Sequence, residues 1–288
     1  MGHAHDKYYV PHGSHWPIVG SVALFLMLGG FASYLNGAEI AGTVSLIGLA
    51  ILVVMMAGWF GNVITESMSG YYNAQVDKSF RMGMMWFIFS EVMFFAAFFG
   101  ALFYARQLAI PWLGGEGTKF MTNLLLWPGF EAMWPSNGPA HAGGEFETMA
   151  ATGLPALNTA ILLTSSVTIT IAHHALRKGN RLVLNLGVLA TVILGFTFIS
   201  LQASEYMHAY SELNLKLSTG IYGSTFFVLT GFHGLHVTVG AIFLTVIWFR
   251  VLRGHFTPKK HFAFEAASWY WHFVDVVWLC LYFFVYWL

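Results

Sequence analysis

Thirteen histidines and thirteen carboxylates in an otherwise apolar chain invite a test for metal or proton chemistry. Glu91 is the most exposed to that question. It sits near the middle of Met82–Tyr104, a stretch with GMMWFIFSEVMFFAAFFGALFY at its heart and no other ionisable side chain before its end. A carboxylate at mid-membrane costs roughly 2.5–3.5 kcal/mol on insertion scales. Glu91 must therefore be satisfied inside a bundle, stay protonated, serve a proton or ion path, or meet a partner subunit. Asp275 and His272, three apart near the C-terminus, share one helix face and can bond to each other or to a common neighbour. They read as an intramembrane pair holding two helices in register, or as part of a proton path with Glu91. His233 and His236 also share a face, and with His272 they could make a three-histidine metal site, although no spacing fixes the third member. Bonding between helices is the plainer reading of all three. His173 and His174 are adjacent, so their side chains diverge by about 100° on a helix and chelate one ion poorly. His3, His5, His12 and His15 belong to a polar N-terminal tail, where adventitious metal binding is the alternative.

The elements that must hold these residues are transmembrane. The chain is 57% hydrophobic and 9% charged, which marks an integral membrane protein. Its formal charge is zero, so nothing points to nucleic acid. Cys280 is the only cysteine, which excludes an intrachain disulfide and a multi-thiolate metal site. No signal peptide is apparent. Seven apolar spans follow: about Trp16–Leu35, Val44–Ile64, Met82–Tyr104, Leu154–Ala172, Leu182–Gln202, Gly220–Phe249 and Ala266–Trp287. The sixth must tilt or project, and its Gly231, Gly234 and Gly240 permit close helix contacts. The fold class expected is all-α, a seven-helix membrane bundle forming a single domain over 1–288.

Lys and Arg set the orientation. Lys7, Lys78, Arg81, Arg177, Lys178, Arg181, Arg250, Arg253, Lys259 and Lys260 fall on one side, with only Arg106, Lys119 and Lys216 opposite. The excess places the N-terminus inside and the C-terminus outside. Arg250, Arg253 and His255 then cluster at the inner surface, where a basic group suits anionic lipid heads or reflects ordinary positive-inside bias. Trp59 and Glu66 face the same layer. Glu265 and His261, near the inner interface, are expected to face solvent or lipid. The long outward loop Ala105–Gly153 carries WPGF and MWPSNGP turn signals, and such loops are usually functional or packed on a partner. Gln202–Thr219 is read as a short interfacial segment. No phosphate loop, nucleophilic triad or paired catalytic carboxylate is present, and no active site stands alone in this chain.

Five stretches carry a resemblance: SEVMFF around Glu91, TIAHHAL at Thr170–Leu176, LQASEY at Leu201–Tyr206, YGSTFFVLTGFHGLHVTVG at Tyr222–Gly240 and FEAASWYWHFVDVVWL at Phe264–Leu279. Together they resemble subunit III of the haem–copper cytochrome c oxidases, from about the second span to the C-terminus and excepting the Ala105–Gly153 loop. The resemblance implies a two-helix group (16–64) and a five-helix group (82–287) around a cleft that holds phospholipids. It implies that haem a, haem a3 and copper sit in subunits I and II, with no metal in this chain, and that cytochrome c is met through the complex. The implied role is to stabilise subunit I, sustain its proton uptake and slow its inactivation during turnover. Glu91 matches the family's buried carboxylate beside subunit I; Trp59, Glu66, Arg250 and His255 match positions lining the lipid cleft.

Gly61–Asn62 departs from a frequent Arg-Asp and Gly100 from a frequent Trp, while the loop after the third span is longer than in mitochondrial members. The resemblance implies an aa3-type oxidase; the loop and the His-rich tail point to a bacterial inner membrane, with the mitochondrial inner membrane as the alternative. Two other readings stay open: the matching subunit of a quinol- or nitric-oxide-reducing relative, and a free-standing proton or ion transporter using Glu91 and Asp275.

Overall fold

The computed structural model of the chain describes residues 8–11 and 13–287. His3, His5 and His12 lie outside the described residues; His15 stacks at a tilt on Trp16, with ring centroids 4.4 Å apart. Among the described residues, seven helices are long and apolar enough to cross a membrane. They are α1 (Trp16–Leu35), α2 (Ala41–Met68), α3 (Ala74–Tyr104), α4 (Leu154–Arg177), α5 (Arg181–Ser211), α6 (Gly220–Leu252) and α7 (Phe262–Leu281). Local chemistry explains their ends. Pro17 and Pro155 sit in the first turns of α1 and α4, where the missing N–H is no loss. Asn180 caps α5 by accepting from the Val183 N–H at 3.2 Å, and Asn73 opens α3 by accepting from Gln75 and Val76. Gly37, Gly179 and Gly254 follow helix ends with φ of +87°, +75° and +71°, a conformation that favours glycine.

The spans expected from hydropathy all exist, but most helices outrun them. α3 begins at Ala74 rather than Met82, α4 continues to Arg177, and α5 reaches Ser211. Hydropathy marks the stretch that lipid selects, whereas intrahelical hydrogen bonds continue until a capping or turn signal stops them. Most of the stretch read as a short interfacial segment, 202–211, forms the last turns of α5. α3 and α7 each end in a π-helical turn, Ala105–Ala109 and Tyr282–Trp287.

The chain divides into two compact units, Met1–Phe80 and Arg81–Leu288. In the first, α1 and α2 pack at glycine. A Cβ on Gly30 would stand 2.6 Å from the Ser45 amide nitrogen, and one on Gly48 would collide with the backbone of Met27 and Ala23. Small residues at such crossings let helices meet where no hydrophobic effect drives them together. Ser45 Oγ adds a bond to the Met27 carbonyl at 2.9 Å.

In the second unit α7 is keyed into its neighbours by tryptophan. Trp271 is fully buried, donates its indole N–H to Ser165 Oγ on α4 at 2.8 Å, and fills the space left by Gly195 of α5 and Gly240 of α6. Two turns on, Trp278 donates to Thr159 Oγ1 at 2.9 Å and meets Phe198 edge to face. Each large ring thus has both its apolar body and its polar N–H satisfied.

The Ala105–Gly153 loop is more structured than a turn-rich connection. It contains the short helices Ile110–Leu113 and Phe120–Leu126. Asn123 Nδ2 reaches the carbonyls of Leu113, Trp127 and Phe130, drawing three strands of backbone together. The loop seats on the α5–α6 connection: Asn214 Nδ2 donates to the carbonyls of Gly143 and Glu145, Glu147 N–H to Leu213 O, and Tyr222 N–H to Ser136 O. Trp134 and Phe146 pack on the Tyr222 ring.

Candidate functional site

Glu91 is satisfied by a partner 145 residues away. Its Oε2 lies 2.8 Å from Nε2 of His236 on α6. The other nitrogen of that ring, Nδ1, is 2.6 Å from the Phe232 carbonyl, which can only accept, so Nδ1 carries a proton. The two groups thus satisfy each other inside the bundle, which removes much of the cost of burying either one alone. Phe94 and Phe95 pack beside the imidazole, and Tyr270 Oη donates to the His236 carbonyl at 3.3 Å. The pair remains 21% and 14% exposed at its side chains. The neighbouring outward positions on α3 are apolar and open: Trp86 68%, Phe89 54% and Met93 55%.

The three-histidine arrangement does not form. His233 is buried and donates Nε2–H to the Val274 carbonyl at 3.0 Å, its ring against Trp278 and Phe198. His272 turns to α4, with Nδ1 2.6 Å from Ser166 Oγ. Asp275, 4% exposed, stands 3.9 Å from that same Nδ1, beside Ser166. His272 and Asp275 thus share a neighbourhood on α4, as their spacing suggests. Glu91 and Asp275 have different partners, and among the described residues no chain of hydrogen bonds joins them.

Just beyond the apolar stretches, one carboxylate escaped sequence reasoning and another departs from its expected place. Glu205, 1% exposed, accepts from Tyr286 Oη at 2.5 Å. Glu265 is not solvent-facing as expected: at 14% side-chain exposure it pairs with Arg81, with His261 Nε2 at 3.2 Å and with His173 Nε2 at 3.5 Å. His261 is likewise covered, at 9%. The signal that could have found the Glu265 cluster is the i, i+4 spacing of His261 and Glu265 at a helix start. His174 turns away from this cluster, its Nδ1 donating to the Thr170 carbonyl.

The residues expected to meet lipid differ in exposure. In the first unit Trp59 is 48% exposed and stacks on Phe60, while Glu66 accepts from Tyr72 Oη at 2.8 Å. Burial, then the hydrogen bond and charge of Glu66, push the Tyr72 phenol above its ordinary pKa of 10.0. In the second unit Arg250 is only 8% exposed and lays its guanidinium 4.6 Å from the Phe256 ring centroid. Arg253 is exposed and His255 half-buried beside it. Desolvation, with the charges of Arg250 and Arg253, lowers the His255 pKa from 6.5.

The comparisons with known proteins agree along the whole chain. The family model described as cytochrome c oxidase subunit III matches residues 5–288. Cytochrome c oxidase subunit 3 of Raphicerus melanotis is 43% identical over 289 residues, covering 100% of this chain and 99% of the relative. The human subunit is 42% identical over 288 residues with the same coverage. That of Lemur catta is 41% identical over 290 residues, covering 100% of this chain and 94% of its own. A seven-span bundle matched end to end by these proteins leaves one conclusion: the chain belongs to the cytochrome c oxidase subunit III family.

Proposed function

We propose that this chain is the non-redox subunit III of an aa3-type oxidase, binding subunit I and supporting its proton uptake and its stability during turnover. The observation that carries this is the Glu91–His236 pair: mutually bonded, partly open, and bordered by exposed aromatic and sulfur side chains of α3. Such a surface suits a partner helix, and a satisfied pair suits positioning better than transport. Subunit II, cytochrome c acting through the complex, and haem a, haem a3 and copper in the partner chains belong to the same reading. Phospholipid contact falls to Trp59, Glu66, Arg253 and His255, with Arg250 supporting from beneath. The Lys/Arg excess puts the N-terminus inside. The long loop and His-rich tail favour a bacterial inner membrane; the mammalian relatives keep the mitochondrial one as the alternative.

The test is purification from native membranes in mild detergent. Haem a in the reduced-minus-oxidised spectrum, with two larger partner chains, is the expected outcome. Glu91→Gln should leave haem content unchanged and alter at most the rate of inactivation during turnover. A colourless, solitary chain that transports protons in liposomes, and ceases to in Glu91→Gln, would replace this reading with a transporter.

A further inference from the structure

His173 of α4, His261 at the start of α7 and Glu265 one turn into α7 bring one ligand atom each within 4.8 Å of one another. Their donor atoms leave room for a metal cation beside the Arg81–Glu265 ion pair. His261 Nδ1 lies 3.1 Å from the Thr257 carbonyl, an acceptor, so Nδ1 holds the proton of the neutral ring and Nε2 presents a lone pair. That lone pair faces Glu265 Oε1 at 3.2 Å. His173 Nε2 approaches the same oxygen at 3.5 Å and is buried without a hydrogen-bond partner. Two imidazole nitrogens and a carboxylate oxygen thus converge from two helices and the segment between α6 and α7.

The spacing fits one ion size. A tetrahedral zinc with bonds of about 2.0–2.2 Å holds its ligand atoms roughly 3.3–3.5 Å apart. Two of the three separations here, 3.2 and 3.5 Å, already stand at or near that edge length. The surroundings supply what ligands need. The Thr257 carbonyl fixes the His261 tautomer, and Arg81 engages the other carboxylate oxygen, Oε2, leaving Oε1 to the cluster. Two imidazoles and one carboxylate favour a first-row transition metal over calcium or magnesium.

We propose that His173, His261 and Glu265 form a binding site for one divalent transition-metal ion, zinc being the fit, which clamps α4 to the start of α7 at the Lys/Arg-rich end of the bundle. The site is independent of the role assigned to Glu91 and His236. The alternative occupant is a proton, giving an imidazolium–carboxylate pair with no metal affinity.

The test uses the complex purified through this chain, stripped with chelator, with His3, His5, His12 and His15 all changed to Gln to remove binding by the tail. Zinc alone is titrated against a chromophoric chelator, comparing parent, His173→Gln, His261→Gln and, as control, His174→Gln. The expected result is one zinc per chain lost from the first two variants, with affinity lowered roughly tenfold or more, and unchanged in His174→Gln. Zinc-edge absorption of the parent should show two imidazole ligands, a readout that does not require the variants to fold. Equal zinc binding by parent and His173→Gln, or an absorption spectrum without paired imidazoles, would overturn the proposal in favour of the shared proton.

Discussion

Replacing Glu91 with Leu leaves His236 Nε2 facing hydrocarbon with a lone pair and no donor. An orphaned polar group costs about 1–3 kcal/mol. Within a membrane the figure is reduced, because the unfolded state also finds partners, and measured couplings average near 0.6 and reach about 1.7 kcal/mol. The 2.8 Å contact and the side-chain exposures of only 21% and 14% place this pair towards the upper part of that range, about 1 kcal/mol or slightly more. Glu91→Leu and His236→Leu should each lower stability by about 1–2 kcal/mol in a detergent-unfolding titration of the complex. The double variant should fall short of the sum by about 1 kcal/mol. Glu91→Gln should stay within about 0.5 kcal/mol of the parent, because its amide can donate to the same Nε2. Additivity within 0.3–0.5 kcal/mol would refute the coupled-pair description, since independent sites behave that way.

Three further outcomes follow from the packing and the charges. Gly48→Ala should weaken α1–α2 packing by about 1–3 kcal/mol, since its Cβ meets the Ala23 carbonyl at 2.8 Å; an unchanged unfolding midpoint would contradict that crossing. Trp271→Phe removes the bond to Ser165 and leaves the Gly195–Gly240 slot underfilled, for a loss of about 1–3 kcal/mol by the same titration. His255 has a depressed pKa, so its neutral form is favoured by folding; its contribution is present above about 6.5 and is lost as pH falls towards the depressed value. His255→Gln should therefore flatten the fall in thermal midpoint between pH 7 and 5.5, and an unaltered slope would exclude His255 as a source.

The difference between what sequence could and could not show has a physical basis. Glu91 announces itself because a carboxylate inside a long apolar run is expensive wherever the chain folds. Its partner does not, because His236 is one of several histidines on α6 and α7 and only tertiary packing selects it. The i, i+3 pair His272–Asp275 was readable for the same reason that α7 is a helix, yet its contact with Ser166 comes from another helix. Glu205 and Glu265 lay at the edges of the apolar stretches, where hydropathy cannot separate a helix continuing through the interface from a chain turning into water. The family resemblance supplied the oxidase setting, which spacing alone could not.

The seat of the 105–153 loop has a consequence for biogenesis. The residues that receive it, from Leu213 to Tyr222, are synthesised some sixty residues or more after the loop itself. Until α5 has been inserted and its far end has met the start of α6, Ser136, Gly143, Glu145 and Glu147 have nothing to dock on. The loop therefore waits as an unseated segment during assembly, and closes only when the fifth and sixth helices arrive together. Its docking is a late check on whether the second half of the chain has been threaded correctly.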